Sequence, residues 1–186
     1  MSRTDYICVL ANYNEWMNRN LYEAVTTLPE EEITADKKAF FGSILGTLNH
    51  LAIGDTLWLK RFATHPASNE SLDWVRKLPT PTSLDQPLCS DIQSLSSYRQ
   101  SLDKAITVWA QSLAESDLDH VLHYTNSKGL VADKVFFGLI MHFFNHQTHH
   151  RGQVTTLLTQ TGVDVGVTDL ITLMPNETGG QDGTQR

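Results

Sequence analysis

Apolar residues return at spacings of three and four through four separate stretches of the chain. A helix of 3.6 residues per turn is the structure that gathers such residues on one face. In the first stretch Ile7, Leu10, Asn14, Met17, Leu21, Val25 and Leu28 form a stripe broken only by Asn14. Thr4 or Asp5 can cap its start, and Pro29 lies just past its end. The second stretch, 43–62, is apolar on most sides through Ile44, Leu45, Leu48, Leu51, Ala52, Trp58 and Leu59, so it should be largely buried. The third, 91–113, holds Ile92, Leu95, Leu102, Ile106, Trp109 and Leu113 in register, and the fourth, 133–161, is stopped by Gly162. Four long helices on irregular connections predict an all-α four-helix bundle.

The connections are distinct in character. Pro66, Pro79, Pro81 and Pro87 break the pattern over 65–89, and Leu72, Trp74, Val75 and Leu78 should hold that long connection against the body. Within 115–133, VLHY, TNSKG and LVA read as two short strands around a turn, a β-hairpin before the last helix. VDVGVTDLITLMP contains a short apolar segment expected to pack back on the bundle, and NETGGQDGTQR has the composition of a frayed end. The expected organisation is one domain over 1–173 and a flexible tail over 174–186. A chain of 186 residues should bury roughly 70% of its unfolded surface. The core therefore needs no disulfide or metal to hold it, and a metal would serve function.

Fourteen Lys plus Arg against twenty-one Asp plus Glu leave a net charge of −7, with Lys37-Lys38 the densest basic run. No positive footprint for phosphates is present, which argues against nucleic acid as a partner. The apolar run before Asn12 spans about six residues, short of the roughly 7–15 of a signal segment. No window approaches the ~18 apolar residues of a membrane span. Cys8 and Cys89 are far apart and form no CxxC pair. These features predict a protein of a reducing compartment, most simply the cytoplasm, with no membrane partner. GxGxxG, GxxxxGK[ST] and GxSxG are all absent, and nothing in their spacing singles out Glu15 or Glu23 as a working carboxylate.

The chemistry lies in the histidines. Of eight, four fall within HFFNHQTHHR: His142, His146, His149 and His150. The stripe of the last helix is Phe136, Leu139, Phe143, His146, His150, Val154 and Leu157. His146 and His150 therefore stand where the period expects Leu or Phe. Burying two imidazoles is unfavourable unless their nitrogens find partners. At i and i+4, with Cβ atoms about 6 Å apart, both can point at one ion. His50, midway along the second helix in LNHLAIGDTLWL, is the natural third ligand. Three protein nitrogens with an open position are the pattern of catalytic zinc sites, and an all-imidazole set suits Zn, Ni, Co, Fe or Cu. Two readings compete: hydrogen-bonded core histidines without metal, and a 142/146 pair, which drifts off the stripe. His149 falls at the stripe's edge, and His65, His120 and His123 read as surface residues. Asn49, Asn145 and Gln147 are candidates to orient the ligand rings.

LNHLAIGDTLWL and NHQTHHRGQVTTLL together resemble the DinB/YfiT-like family of metal-binding four-helix bundles. In that family a His midway in the second helix joins two His of an NHxxxHRGQ-type motif; here these are His50, His146 and His150. VTDLI at 167–171 is similar to the family's segment after the last helix, and the resemblance spans about residues 5–173. It implies a divalent metal, often Zn or Ni, and a homodimer. Relatives act as thiol-dependent transferases or isomerases with a low-molecular-weight thiol, others as hydrolases. Arg151 and Gly152 match the motif and are expected to serve packing and orientation, and no catalytic acid or base carries over. The leading expectation is a metal-dependent enzyme activating water or a thiol for a small-molecule substrate. The alternative is a non-catalytic metal- or ligand-binding bundle.

Overall fold

The four periodic stretches form the four long helices of the computed structural model, which describes residues 1–67, 70–126 and 129–176. They are α1 (Arg3–Val25), α3 (Ile44–Phe62), α5 (Ile92–Ser112) and α6 (Phe136–Gln160); α2 (Glu30–Thr34) and α4 (Asp73–Lys77) are short turns within the connections. Helix α1 packs against α5 and α6, and α3 packs against the same two, so α1 and α3 stand diagonally across the bundle. The apolar stripes meet inside. Phe62 stacks on Trp109 with ring centres 5.1 Å apart and meets Phe136 and Phe143 edge-on at 5.3 and 5.5 Å, filling the centre with aromatic area. No described helix is long and apolar enough to cross a membrane.

The helix starts follow side-chain chemistry. Ser43 caps α3 by accepting from the Gly46 N–H, and Asp91 caps α5 by accepting from the Ser94 N–H. The cap of α1 is Ser2, two or three residues earlier than Thr4 or Asp5 would place it. Asp5 completes the cap by accepting from the Ser2 N–H at 2.8 Å.

The hairpin is present, with β1 (Val121–Thr125) antiparallel to β2 (Val131–Val135). It shortens the last helix at its start. Residues 133–135, expected in that helix, pair with 121–123 instead, and His123 meets Asp133 at 2.7 Å across the strands. Ladder hydrogen bonds to a neighbouring strand outweigh the local helical pattern, and the Asp133 carboxylate, a good helix cap, is turned to His123 across the strands instead. Ser127 and Lys128 of the expected turn lie outside the described residues.

One surface expectation is corrected. His65 is buried, stacked on Phe136 with ring centres 4.1 Å apart, and its Nδ1 accepts from the Ala67 N–H. A connection that crosses the end of the bundle lays its aromatic rings on the core, which no local pattern announces. The apolar segment after α6 is tied to α1 by the Tyr13 hydroxyl, which donates to the Thr168 carbonyl at 2.6 Å. Val165 is buried in the core and Val163 packs against it, so the segment returns to the bundle as expected, while Val167 and Ile171 beyond them point outward, 56% and 74% exposed. Of the expected tail, 177–186 lies outside the described residues.

A polar network crosses the bundle interior. Arg99 of α5 pairs with Asp55 of α3, and its Nη2 lies 2.9 Å from Asp103 Oδ1. Asn14 and Asn18 of α1 each donate to Asp103 Oδ1 at 2.9 Å, and Arg151 of α6 donates to Asn14 Oδ1. All six residues are buried. Asn14, which interrupts the first stripe, is thus a buried junction between helices. Arg151 serves packing as the sequence suggested. Burial pushes both carboxyls upward, Asp103 to about 6, and the Arg99 charge opposes the rise in each.

Candidate metal centre

The i, i+4 spacing sets His146 and His150 one turn apart on α6, and the antiparallel or parallel sense of the bundle is immaterial to that local geometry. Packing of α3 against α6 then brings His50 to them. Ring centres are 4.4 Å apart for 146/150, 4.5 Å for 50/150 and 5.3 Å for 50/146. One ligand nitrogen from each lies within 4.8 Å of the others. His50 and His150 are buried and His146 is half-buried. The structure therefore unites the three sequence-predicted histidines. His142 sits one turn away, exposed, with its ring against Trp58 at 5.0 Å, and His149 is exposed.

Two of the rings have their orientation fixed by hydrogen bonds. His50 Nδ1 donates to the Leu84 carbonyl at 2.9 Å, and His150 Nδ1 donates to Gln153 Oε1 at 2.8 Å. With the proton on Nδ1, each presents the bare Nε2 as its ligand atom. His146 Nδ1 is buried without a hydrogen-bond partner. An orphaned imidazole nitrogen beside two oriented rings fits a cation-binding cluster, and the all-nitrogen donor set fits a borderline transition metal. Burial lowers the pKa of all three rings, His146 to about 3 with the neighbouring histidines adding to the effect. Neutral imidazoles are the ligating form.

The orienting partners differ from those expected. Asn49 turns instead to the connection, accepting from the Leu88 and Cys89 N–H groups at 2.8 and 3.0 Å. It thereby pins the segment whose Leu84 carbonyl holds His50. Gln147 is buried in the bundle interior, and Asn145 is exposed. Gln153, three residues beyond His150, was legible from helical spacing. The Leu84 carbonyl gave no sequence signal, since any residue carries one.

Close packing shapes the site. Phe41 stacks on His50 with ring centres 3.8 Å apart and meets His150 edge-on at 5.5 Å. A Cβ on Gly46 would lie 2.1 Å from the Phe41 carbonyl oxygen, so only glycine lets that segment approach. A Cβ on Gly54 would lie 2.9 Å from His146 Cε1. Gly54→Ala should therefore leave the metal-free helix as stable or up to about 1 kcal/mol more stable, because Ala is the better helix former. The same change displaces the His146 ring and should weaken Zn binding at least tenfold by calorimetric titration. Unchanged affinity would show that the ring has room to spare.

The histidines line the inner end of a cleft. A cavity of about 220 Å³ is bounded by His50, Gly54, Trp58, His142 and His146, among others. It adjoins a second of about 450 Å³ under the hairpin and the 80–84 segment. Leu57, Arg61, Leu84, Tyr124 and Asn126 line both. A combined space of this size suits a small molecule. Glu15 and Glu23 line a different groove, between α1 and α5.

The sequence model of the DinB family matches residues 1–183. The chain is 25% identical over 166 residues to Protein DinB of Bacillus subtilis (strain 168), covering 89% of this chain and 92% of that protein. No solved structure matches it. The helical bundle, the three clustered histidines and the family match over nearly the whole chain lead to one conclusion: the chain belongs to the DinB family.

Proposed function

We propose that His50, His146 and His150 hold one divalent transition metal ion, Zn or Ni, at the inner end of a small-molecule cleft. The observation that carries this is the convergence of three neutral imidazoles, two already oriented and one with a buried nitrogen unpartnered. Bound there, such an ion lowers the pKa of a coordinated water toward 7 or deprotonates a coordinated thiol, giving a nucleophile at neutral pH. The chain's own residues prepare the place. Leu84 and Gln153 fix the rings, Phe41 shields His50 from water, and Gly54 leaves space for His146. The reading is a hydrolase or thiol transferase acting on a small molecule, as a homodimer in the cytoplasm.

The rival is a metal- or ligand-binding bundle without turnover. It is favoured by the absence of any Asp or Glu among the described residues lining the cleft, which leaves no carboxylate to act as acid or base. Metal analysis of untagged protein should find about one ion per chain. The Co(II)-substituted protein should show a spectrum that shifts when a thiol or azide is added, because a three-ligand site keeps an exchangeable position. A closed four-protein-ligand spectrum, or no metal after reconstitution with Zn or Ni, would overturn the proposal. Metal-dependent turnover of a thiol-transfer or hydrolytic substrate separates the enzyme from its rival.

A further inference from the structure

The cleft beside the histidines carries an unneutralised positive charge. Arg61, near the C-terminal end of α3, lines both of its cavities. Its guanidinium lies over the Trp58 ring at 4.6 Å and the Tyr124 ring at 5.4 Å. The side chain is half-buried, yet among the described residues it has no hydrogen bond and no carboxylate partner. The other buried arginines behave differently: Arg99 is paired with carboxylates and Arg151 is hydrogen-bonded to Asn14.

The surroundings sharpen the contrast. The protein has a net charge of −7, but among the described residues neither cavity is lined by an Asp or Glu, while Lys60 and Arg61 both line the outer one. Desolvating a guanidinium without a counter-charge is unfavourable, and two aromatic faces only partly compensate. The same faces hold the guanidinium plane still. A fixed guanidinium fork with free N–H donors matches a carboxylate in two parallel hydrogen bonds.

We infer that Arg61 is the anchor for a carboxylate on the small molecule that occupies this cleft. The ligand class is thus a small carboxylic acid, with its charged end at Arg61 and the rest extending toward His50 and His146. Arg61 determines specificity, and Trp58 and Tyr124 position it. The inference rests on the reading of the cleft as a small-molecule site and adds the chemistry that site selects.

Two arms test it separately from the metal. In the first, metal-free protein is titrated with succinate by calorimetry. Binding should weaken at least tenfold in Arg61→Gln and by less in Arg61→Lys, which keeps the charge but loses the fork, with circular dichroism unchanged in both. Equal succinate binding in parent and Arg61→Gln, or none in either, would overturn the anchor. In the second, Co(II)-loaded protein is titrated with 3-mercaptopropionate and with 2-mercaptoethanol, following the thiolate-to-cobalt band. The carboxylate-bearing thiol should bind at least tenfold tighter in the parent, and Arg61→Gln should abolish the difference. Bands of equal affinity in the parent would overturn the anchor and leave the metal site standing. No band with either thiol, alongside Arg61-dependent succinate binding, would overturn thiol activation and leave the anchor standing.

Discussion

His50→Ala, His146→Ala and His150→Ala should each purify without stoichiometric metal while remaining folded and helical. The three imidazoles come from two helices and are the only group of His, Cys, Asp or Glu among the described residues that clusters tightly enough to hold an ion. Structural zinc sites with four ligands bind with about 10–16 kcal/mol. Losing one of three nitrogens should thus cost roughly 3–5 kcal/mol, a 10²- to 10⁴-fold drop in affinity. The fold survives because the aromatic and aliphatic interior around Phe62, Trp109, Phe136 and Phe143 does not depend on these rings. His142→Ala should keep its metal, since that ring leans on Trp58 outside the cluster. Thermal denaturation gives a second readout: added Zn should raise the midpoint of the parent and of His142→Ala, and leave the three ligand variants unmoved, because only binding to the native state stabilises it. Stoichiometric metal in His50→Ala would show that the third ligand is misassigned.

Arg99→Met should lower stability by about 3–5 kcal/mol, a large part of the roughly 5–15 kcal/mol that holds a domain of this size together. The reason is what it leaves behind. Asp55 and Asp103 would face each other's charge inside the bundle with no cation between them, and Arg151 donates to Asn14 rather than to either carboxylate. Both acids would then have to take up a proton or draw in water to remain buried. The measurement is urea denaturation. With a slope of about 1–3 kcal/mol per molar, the midpoint should fall by about 1 M or more. Lys38→Met, which removes an exposed ion pair with Asp36, should leave the midpoint where it was. A shift in Arg99→Met no larger than in Lys38→Met would mean that the network is not a structural junction.

Most of the site was legible because its geometry is local. His146 and His150 share a face through the helical repeat alone, and His50 was conspicuous as an imidazole within an apolar helix. Periodicity likewise identified α1, α3, α5 and α6, and alternation with turn residues identified the hairpin. The errors share a cause. Asp133 entered a strand because β1 was there to pair with it, and His65 was buried because the chain crosses the bundle end at Phe136. The cap of α1 fell to Ser2 because its hydroxyl and Asp5 satisfy each other's backbone groups.

The sequence by itself determined which residues face inward and which imidazoles lie one helical turn apart. Those properties follow from the backbone repeat and need no distant partner. The tertiary structure alone decided what those residues meet. It set the Leu84 carbonyl on His50, joined Asp55, Arg99 and Asp103 across two helices, and left Arg61 between Trp58 and Tyr124 with no acid partner among the described residues. Charges and hydrogen-bond partners far apart in sequence are matched by the path of the chain, and that path is chosen by the summed burial of all four helices rather than by any one stretch.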